Sequence, residues 1–338
     1  MTPFRTIVLV LLSCILNPAA LRATKLVTYR FANETRAGAV VEPYCIDLKR
    51  AYSFYLFNSQ KTGPRTDDDL VPDQLLEVLQ GGEPVMAAVQ KALDYTRQLL
   101  ADTVEVDRLA AAGVIRSLDR VTLKTPLPSP PRILAIGLNY RKHAEESGQK
   151  VPATPEVFSK ECLPIGPGEA VRVPTAVKKP DYEAELAFVI GKPARNVSKE
   201  KALDYVAGYL AFNDLSARDI QHRGSQWVLG KSVDTFASAG PYLVLKDEVP
   251  DPQKLDIKTS IGGEVLQHSS TGDMIFSVAD IIADLSQFLT LQPGTIVATG
   301  TPSGVGSARK PPRWLKPGDV VRVEIEGLGV LENPVESE

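Results

Sequence analysis

The chain has few of the residues on which small disulfide-rich and zinc-binding proteins depend. Its 338 residues include three cysteines, Cys14, Cys45 and Cys162, and no two of them form a C-x-x-C pair. This spacing excludes a disulfide framework and a thiolate zinc site. An excess of basic charge is also lacking, because 38 Lys and Arg stand against 41 Asp and Glu, for a formal charge of -3. We therefore expect no nucleic-acid partner.

The sequence also lacks an apolar run long enough to cross a bilayer. Its most apolar stretch, at residues 7–16, follows Arg5 and precedes the small residues at 18–20. These are the parts of a secretory signal, and the stretch is too short to span a membrane. The first acidic residue is Glu34, and an acid-free start is equally typical of an organelle transit peptide. We predict no integral membrane span and a targeting leader over residues 1–23, with a start codon assigned too early as the alternative.

Proline marks the main division of the chain. Four prolines occupy the six positions 126–131, and neither a helix interior nor a central strand tolerates them. We therefore predict a small N-terminal α+β domain over residues 24–125 and a second domain over residues 126–338. The 26 prolines and 24 glycines of the whole chain are otherwise scattered, which indicates the many turns of a strand-rich fold.

Apolar patterns within these two segments predict mainly strands, and hence a strand-rich α+β fold. Strands are expected at residues 25–30, 133–137, 182–190, 295–299 and 320–325. Helical spacing predicts one helix around residues 85–93, and a capping box of Ser277 and Asp280 predicts the start of another. The apolar face of this second helix is expected to comprise Val278, Ile281, Ile282, Leu285, Phe288 and Leu289.

Two carboxylates lie side by side on one of the predicted strands. Alternation places Glu183 and Glu185 on one face together with Ala187 and Val189. On a strand otherwise suited to burial, neighbouring carboxylates repel each other and lose their hydration. A bound cation removes both penalties, and all-oxygen ligands favour Mg²⁺, Mn²⁺ or Ca²⁺ over zinc or copper. The alternative is an edge strand whose acidic face is solvated.

A third carboxylate supports the metal interpretation. Asp214 is the single acid at the end of the apolar run 208–213. Together with Glu183 and Glu185 it would form a set of three oxygen ligands that leaves metal positions open for water or substrate. Open positions distinguish a catalytic metal from a structural one. The sequence therefore predicts a catalytic metal site on these three residues.

The remaining catalytic candidates are a histidine–glutamate pair, a lysine and a glycine-rich loop. His143 and Glu146 are three residues apart, so in a helical turn the carboxylate would orient the imidazole as a general base. An exposed polar helix start would explain the same spacing. Lys231 is expected to hold a developing oxyanion or to be an ordinary surface charge. The segment 299–306 lacks the P-loop and dinucleotide patterns, and we expect its backbone amides and a threonine hydroxyl to close over a small anionic substrate.

Taken in this order, the motifs resemble those of the fumarylacetoacetate hydrolase family. The matching stretches are residues 137–146, 181–186, 213–221, 226–236 and 298–302. The resemblance implies a mixed β-sheet roll with flanking helices, usually a homodimer, in the cytoplasm or the mitochondrion. It also implies Mg²⁺ or Mn²⁺ on the acidic triad, a water-activating role for His143 and Glu146, and the family's active-site lysine at Lys231. Gln221 and Thr301 would be substrate contacts.

The activity implied by this resemblance is metal-dependent hydrolysis of a C–C bond in a 1,3-dicarbonyl acid such as an acylpyruvate or fumarylacetoacetate. Water activated by His143, with Glu146 holding its tautomer, would attack the distal carbonyl. The alternative is a decarboxylase of an oxaloacetate-like keto acid, or an isomerase or dehydratase, which needs a metal-bound enolate but no attacking water. A third hypothesis is a secreted binding module without catalysis, which the complete set of reactive side chains disfavours.

Overall fold

The computed structural model describes residues 24–59 and 69–338. The predicted leader at residues 1–23 lies outside the described residues. The described part of the chain contains eighteen β-strands and eight α-helices, which confirms the strand-rich α+β class. None of those helices is both long enough and apolar enough to cross a membrane.

The elements have the following bounds. The strands are β1 Lys25–Phe31, β2 Glu34–Val41, β3 Tyr44–Asp47, β4 Ile115–Ser117, β5 Thr122–Lys124, β6 Ile133–Gly137, β7 Glu156–Lys160, β8 Val171–Val173, β9 Pro180–Asp181, β10 Ala184–Ile190, β11 Val206–Asp214, β12 Ser216–Ala217, β13 Ala237–Leu245, β14 Asp256–Ile261, β15 Glu264–Ser270, β16 Ile296–Ala298, β17 Val320–Ile325 and β18 Gly329–Ser337. The helices are α1 Leu48–Ser59, α2 Leu75–Gln80, α3 Gly82–Leu99, α4 Thr103–Ala111, α5 Arg141–Glu146, α6 Arg218–Gln221, α7 Val228–Lys231 and α8 Val278–Phe288.

The largest sheet has eleven strands and mixes both strand orientations. Its order is β4-β3-β2-β1-β13-β11-β10-β16-β6-β7, with β5 added to β1. Strand β10 lies inside this sheet, antiparallel to β11 on one side and to β16 on the other. Because both of its faces are covered, all seven residues of β10 are buried. The strand that carries Glu185 is therefore not the solvated edge strand of the alternative interpretation.

The N-terminal segment and the second segment share this sheet. Strand β1 pairs with β13 in a register that places Leu26 opposite Leu243. One apolar core then combines residues of both segments, such as Leu26 and Val89 with Val189 and Phe212. The sheet and the core thus continue across the predicted boundary at residues 126–131. The division of the chain into two domains at this boundary stays a prediction.

Two smaller sheets complete the scaffold of the second segment. Five strands pair in the order β15-β14-β17-β18-β8, and their apolar face packs with α8 against Leu186 and Phe188 of β10. A two-stranded sheet joins β9 to β12, with Asp181 opposite Ser216. This short pairing holds the chain just before Glu183 against the chain just after Asp214, and so it positions the acidic residues.

Most of the predicted elements of the second segment are present. Strands β6 and β17 have the predicted bounds, and α8 begins at the predicted capping box of Ser277 and Asp280. The predicted strand 182–190 begins instead at Ala184. The predicted apolar face of α8 was wrong at Phe288, whose side chain is 74% exposed. Leu285 and Ser286 of the same last turn are buried, so Phe288 lies at the edge of the covered face.

Candidate active site and metal centre

Three buried carboxylates meet where β10 begins and β11 ends. The two strands are antiparallel with Ala184 opposite Asn213, so Glu183 and Glu185 lie beside Asp214. One carboxylate oxygen of each residue lies within 4.8 Å of the others, and the three residues are 4%, 2% and 0% exposed. Within residues 24–59 and 69–338, no other group of His, Cys, Asp and Glu side chains has this arrangement. The structure therefore brings the three predicted metal ligands together.

Basic side chains neutralise two of these carboxylates. The Nζ atom of Lys231 lies 2.7 Å from Glu183 Oε2 and 2.7 Å from Asp214 Oδ2. Lys160 donates to the other oxygen of Asp214, and Arg218 donates to Glu183 Oε1. Burial alone would raise the pKa of Glu183, but the charges of Arg218 and Lys231 outweigh it and hold that pKa well below its ordinary value. Glu183 is therefore ionised and able to bind a cation.

Lys231 is a proton donor in this setting. Burial alone would lower the pKa of its ammonium group, but the charges of Asp214 and Glu183 outweigh burial and raise that pKa above its ordinary value. The Nζ atom also lies 5.1 Å from the ring centroid of Phe158. A lysine that stays protonated can donate hydrogen bonds to negative charge on a substrate, but it cannot act as a base. This state fits the oxyanion role predicted for Lys231.

Glu185 shows whether a metal ion fits the site. Its Oε2 accepts a hydrogen bond from the Gly300 amide at 2.8 Å, while the three basic side chains pair with Glu183 and Asp214. Burial, and then the charges of Asp214 and Glu183, raise the pKa of Glu185 well above its ordinary value. A divalent cation at the triad would remove this penalty, and carboxylate oxygens suit a hard ion such as Mg²⁺ or Mn²⁺. The residues present therefore fit such an ion.

The histidine–glutamate pair lies on α5 at the end of strand β6. His143 Nδ1 is 2.9 Å from Glu146 Oε1, and the histidine is 7% exposed. Both oxygens of Glu146 also accept from the Gly304 amide, at 3.0 and 2.9 Å. With Nδ1 facing a carboxylate, the imidazole keeps Nε2 for a substrate or a water. The predicted helical turn and the predicted contact are therefore both present.

The glycine-rich segment 299–306 binds the protein's own carboxylates. The amides of Gly300, Gly304 and Gly306 donate to Glu185, Glu146 and Asp181 respectively. The sequence led us to expect that these amides close over an anionic substrate. That expectation was wrong for these three amides, because each of them bonds to a carboxylate of the protein. The loop instead connects an expected metal ligand with the histidine–glutamate pair.

Thr301 extends this internal bonding to its side chain. Its hydroxyl donates to the Ala184 carbonyl at 2.9 Å and accepts from Gln267 Nε2 at 2.8 Å. The hydroxyl thus holds the loop against the start of β10. Thr301 lines the same cavity as Gln221, and for both residues substrate contact stays a prediction.

All of the predicted site residues line one cavity of about 660 Å³. These lining residues are His143, Glu146, Glu183, Glu185, Asp214, Gln221, Lys231 and Thr301. Part of the remaining lining is aromatic, since Phe158 and Trp227 meet edge to face with ring centroids 5.5 Å apart. A cavity of this size can enclose a small organic acid.

Sequence reasoning missed two contributors to this site. Lys160, whose side chain is fully buried, pairs with Asp214, and Arg218 pairs with both Glu183 and Asp181. A lysine at the end of a strand or an arginine at the start of a helix has no distinctive local pattern. No local signal could have found Lys160, whose neighbours in the chain are Ser159 and Glu161.

Comparison with known proteins places this chain in a family. Residues 132–336 match the family model described as fumarylacetoacetate (FAA) hydrolase C-terminal. The mitochondrial protein from Xenopus laevis named oxaloacetate tautomerase fahd2 is 42% identical over 271 residues, which cover 79% of this chain and 80% of that protein.

Two solved structures agree with this family match. Fumarylacetoacetate hydrolase from psychrophilic Exiguobacterium antarcticum has a TM-score of 0.72 and 30% identity, and the match covers 93% of this chain and 100% of that one. Maleylpyruvate hydrolase from Sphingobium sp. SYK-6 has a TM-score of 0.69 and 28% identity, with the same coverage of 93% and 100%. The predicted fold type is thereby confirmed. The chain belongs to the fumarylacetoacetate hydrolase family.

Proposed function

We propose that the chain is an enzyme that interconverts the enol and keto forms of oxaloacetate or of a closely related β-keto diacid. The observation that carries this proposal is the meeting of a protonated lysine, a histidine–glutamate pair and a buried acidic triad in one cavity. Such groups can move a proton on a substrate without a nucleophile. The name of the relative from Xenopus laevis, an oxaloacetate tautomerase, adds support.

The acidic triad is proposed to hold the metal ion. Glu183, Glu185 and Asp214 would bind Mg²⁺ or Mn²⁺, with Ca²⁺ as a further candidate. When bound, the ion supplies a Lewis acid that polarises the carbonyl of a keto acid. Lys160 and Arg218 hold Asp214 and Glu183 in place through their ion pairs.

The side chains around the triad divide the proton transfer between them. Conversion of the keto form to the enol form requires a base at C3 and a donor at the C2 oxygen. His143 would take the C3 proton through Nε2, since Nδ1 faces Glu146. Lys231 would donate a hydrogen bond to the C2 oxygen, on which negative charge develops. The protonated His143 would then deliver the proton to that oxygen and return to its neutral form. A C–H bond breaks and an O–H bond forms, while every C–C bond stays intact and no water is consumed.

Hydrolysis of a C–C bond is the second candidate. The same histidine could activate a water, and the similarity to maleylpyruvate hydrolase favours this reaction. That structure is 28% identical to the chain, whereas the tautomerase from Xenopus laevis is 42% identical. The relatives therefore support the alternative drawn from the sequence, a decarboxylase of an oxaloacetate-like keto acid or an isomerase or dehydratase, better than the hydrolase interpretation. A tautomerase belongs to the isomerase part of that alternative.

The proposal is tested by adding the enol form of oxaloacetate to the protein and following the loss of its ultraviolet absorbance by stopped flow. We expect Mg²⁺ or Mn²⁺ to accelerate this loss and EDTA to abolish the acceleration. Pyruvate formed at the same rate would assign decarboxylation instead, and carboxylate released from acylpyruvates would assign hydrolysis. No metal-dependent change in any of these assays would contradict an enolate-forming enzyme.

A matched pair of histidine variants tests the role of His143. His143→Asn should lower the tautomerisation rate by about two to four orders of magnitude, the usual contribution of a general base. His268 is the control, because it also pairs with a carboxylate, at 2.7 Å from Asp256, but is absent from the cavity lining. His268→Asn should leave the rate unchanged, and equal rates for the two variants would remove His143 from the mechanism.

We also propose a cellular location and an oligomeric state from the relatives and the family resemblance. The relative from Xenopus laevis is named as mitochondrial, and this favours a mitochondrial transit peptide at residues 1–23 over a secretory signal. A fluorescent protein fused behind these residues should then colocalise with mitochondria, whereas secretion of the fusion would reverse the choice. The homodimer implied by the family resemblance is tested by light scattering of the purified protein.

A further inference from the structure

Asp181 is a buried carboxylate that lies beside the acidic triad without belonging to it. The residue is fully buried, in the two-stranded sheet that holds the stretch before Glu183 against Ser216. Sequence analysis gave it no role, and it is not among the carboxylates close enough to share a metal ion. A buried carboxylate outside the metal triad needs another role, and the contacts of Asp181 indicate which one.

Both oxygens of Asp181 are fully used by hydrogen bonds. Oδ1 accepts from the amides of Tyr182 and Gly306, at 2.9 and 2.7 Å. Oδ2 accepts from the Ser307 amide at 3.0 Å and from Arg218 Nε at 2.9 Å. Four donors on one carboxylate leave no favourable site for a metal, so Asp181 acts on its neighbours.

One of these neighbours is an expected metal ligand, reached through Arg218. The guanidinium group is planar and rigid, so fixing Nε also fixes the direction of its two terminal nitrogens. One of them donates to Glu183 Oε1, and the other donates to Gln221 Oε1 at 3.1 Å. Asp181 therefore contributes, through Arg218, to the direction in which Glu183 faces, together with Lys231 on the other oxygen. The contact of Arg218 with Gln221 Oε1 leaves the Nε2 end of that amide to donate to a substrate.

The other neighbour is the glycine-rich loop. A Cβ atom on Gly306 would lie 2.6 Å from Asp181 Oδ1 and 2.0 Å from the Arg313 carbonyl oxygen, so only glycine permits this close approach. The same loop donates the Gly304 amide to Glu146, the partner of His143. Asp181 thus lies between the triad on one side and the histidine–glutamate pair on the other.

We propose that Asp181 is a positioning residue that locks the glycine-rich loop to Arg218 and so holds Glu183 in the orientation needed to bind the metal ion. The proposal rests on the metal site of the proposed function. Partners that orient metal ligands in this way commonly change metal affinity or activity by about 10- to 100-fold when they are substituted. Asp181 is expected to act on metal affinity even when no substrate is present.

The test is a titration of Mn²⁺ into the metal-free protein, followed by electron paramagnetic resonance. Asp181→Asn keeps the shape of the side chain, but whichever way the amide turns, its NH₂ group faces two of the four donors. We expect Mn²⁺ to bind about 10- to 100-fold more weakly than to the wild type. Wild-type protein that binds no Mn²⁺ would overturn the metal site itself, which separates that failure from a failure of the proposal for Asp181.

Asp47→Asn is the matched control for a purely structural effect. Asp47 is also a buried carboxylate, and it accepts from the Tyr29 hydroxyl, from Arg36 and from the Arg50 amide. It is absent from the cavity lining, so its substitution should lower the melting temperature without changing Mn²⁺ affinity. If Asp181→Asn behaves in the same way, the proposal is overturned.

A second variant keeps the test decisive if Asp181→Asn does not fold. Arg218→Lys retains the charge but replaces the three fixed nitrogens of the guanidinium by one, so it cannot keep the three directed contacts with Asp181, Glu183 and Gln221. It should weaken Mn²⁺ binding to a similar degree. Where both single variants fold, the double variant should bind Mn²⁺ no more weakly than Arg218→Lys alone, because both remove the same link. Unchanged affinity in Arg218→Lys, or independent effects in the double variant, would contradict the link.

Discussion

Glu185 is the member of the acidic triad whose charge is least compensated. The basic side chains bind Glu183 and Asp214, and burial raises the pKa of Glu185 well above its ordinary value. A desolvated charge of this kind destabilises the metal-free fold. We propose that it is retained because it binds the metal ion.

Glu185→Gln should separate these two effects. Removal of the buried acid should leave the melting temperature of the metal-free protein equal to or higher than that of the metal-free wild type, while the stabilisation that Mg²⁺ gives the wild type should be lost. That stabilisation is about 2.7 kcal/mol when the free ion is at about 100 times its Kd. Differential scanning fluorimetry with and without Mg²⁺ measures both quantities.

Glu332→Gln provides the control for this experiment. Glu332 is 52% exposed and pairs loosely with Arg322 at 3.5 Å, so its variant should keep the full response to Mg²⁺. A Glu185→Gln protein that melts lower than the wild type and still responds to Mg²⁺ would show that Glu185 has a structural role instead.

At the scale of single residues, the sequence was sufficient for side chains with distinctive chemistry and spacing. Glu183 and Glu185 are two residues apart at the start of β10, and His143 and Glu146 are one helical turn apart, so their contacts follow from local geometry. Lys160 could not be placed, because its partner Asp214 lies 54 residues away in the chain. Pairing over such a separation depends on strand order, which no local pattern contains.

At the scale of elements, the glycine-rich loop after β16 matters most for the geometry of the site. Gly304 has a φ of +100°, and a Cβ atom there would lie 2.3 Å from the Leu266 carbonyl oxygen. Both features require glycine. The Gly304 amide bonds to both oxygens of Glu146, so the loop holds the carboxylate that orients His143.

Gly304→Ala should therefore impair catalysis through a backbone shift. Loss of a hydrogen bond to a charged group costs about 1.5–3 kcal/mol, which corresponds to a rate lower by roughly 10- to 100-fold. The tautomerisation rate at saturating substrate and metal measures this effect. Metal affinity should change less than the rate, because Glu146 is not one of the expected ligands.

Gly262→Ala controls for backbone strain alone. Gly262 also has a positive φ, of +59°, but a Cβ atom there meets nothing within 4 Å. Its variant should lose some stability and keep its activity. Equal activity losses in the two variants would mean that general strain, and not the contact with Glu146, limits the rate.

Element boundaries show where local patterns lose their predictive power. The capping box of Ser277 and Asp280 is a local hydrogen-bonding device, and it marks the start of α8 as predicted. Phe288 has the right spacing for the buried face of that helix yet is exposed. The extent of the covering surface depends on the neighbouring sheet, and the helical period does not contain that information.

At the scale of the whole molecule, the strand pairing between β1 and β13 ties the two segments together. Leu26 lies opposite Leu243, more than two hundred residues later in the chain, so the prolines at residues 126–131 were the only signal of how the segments relate. Those prolines mark a change of direction between elements. They do not indicate whether the segments can fold separately.

We expect a single cooperative unfolding transition for the whole chain, because one apolar core contains Leu26 and Val89 together with Val189 and Phe212. A fragment that begins at residue 126 should aggregate, since it would expose the edge of β13 and half of that core. Calorimetry of the full chain and gel filtration of the fragment check these outcomes. Two separate transitions, or a soluble monodisperse fragment, would establish independent domains.

The central claim is that the cavity moves a proton on a keto diacid, and exchange of the C3 hydrogens of oxaloacetate in D₂O measures that transfer most directly. By proton magnetic resonance, the wild-type protein with Mg²⁺ should exchange these hydrogens well above the buffer rate, faster than any pyruvate forms. His143→Asn should lose the acceleration while His268→Asn keeps it. Exchange at the buffer rate with fully metal-loaded protein, or exchange that never outpaces the loss of CO₂, would contradict the account.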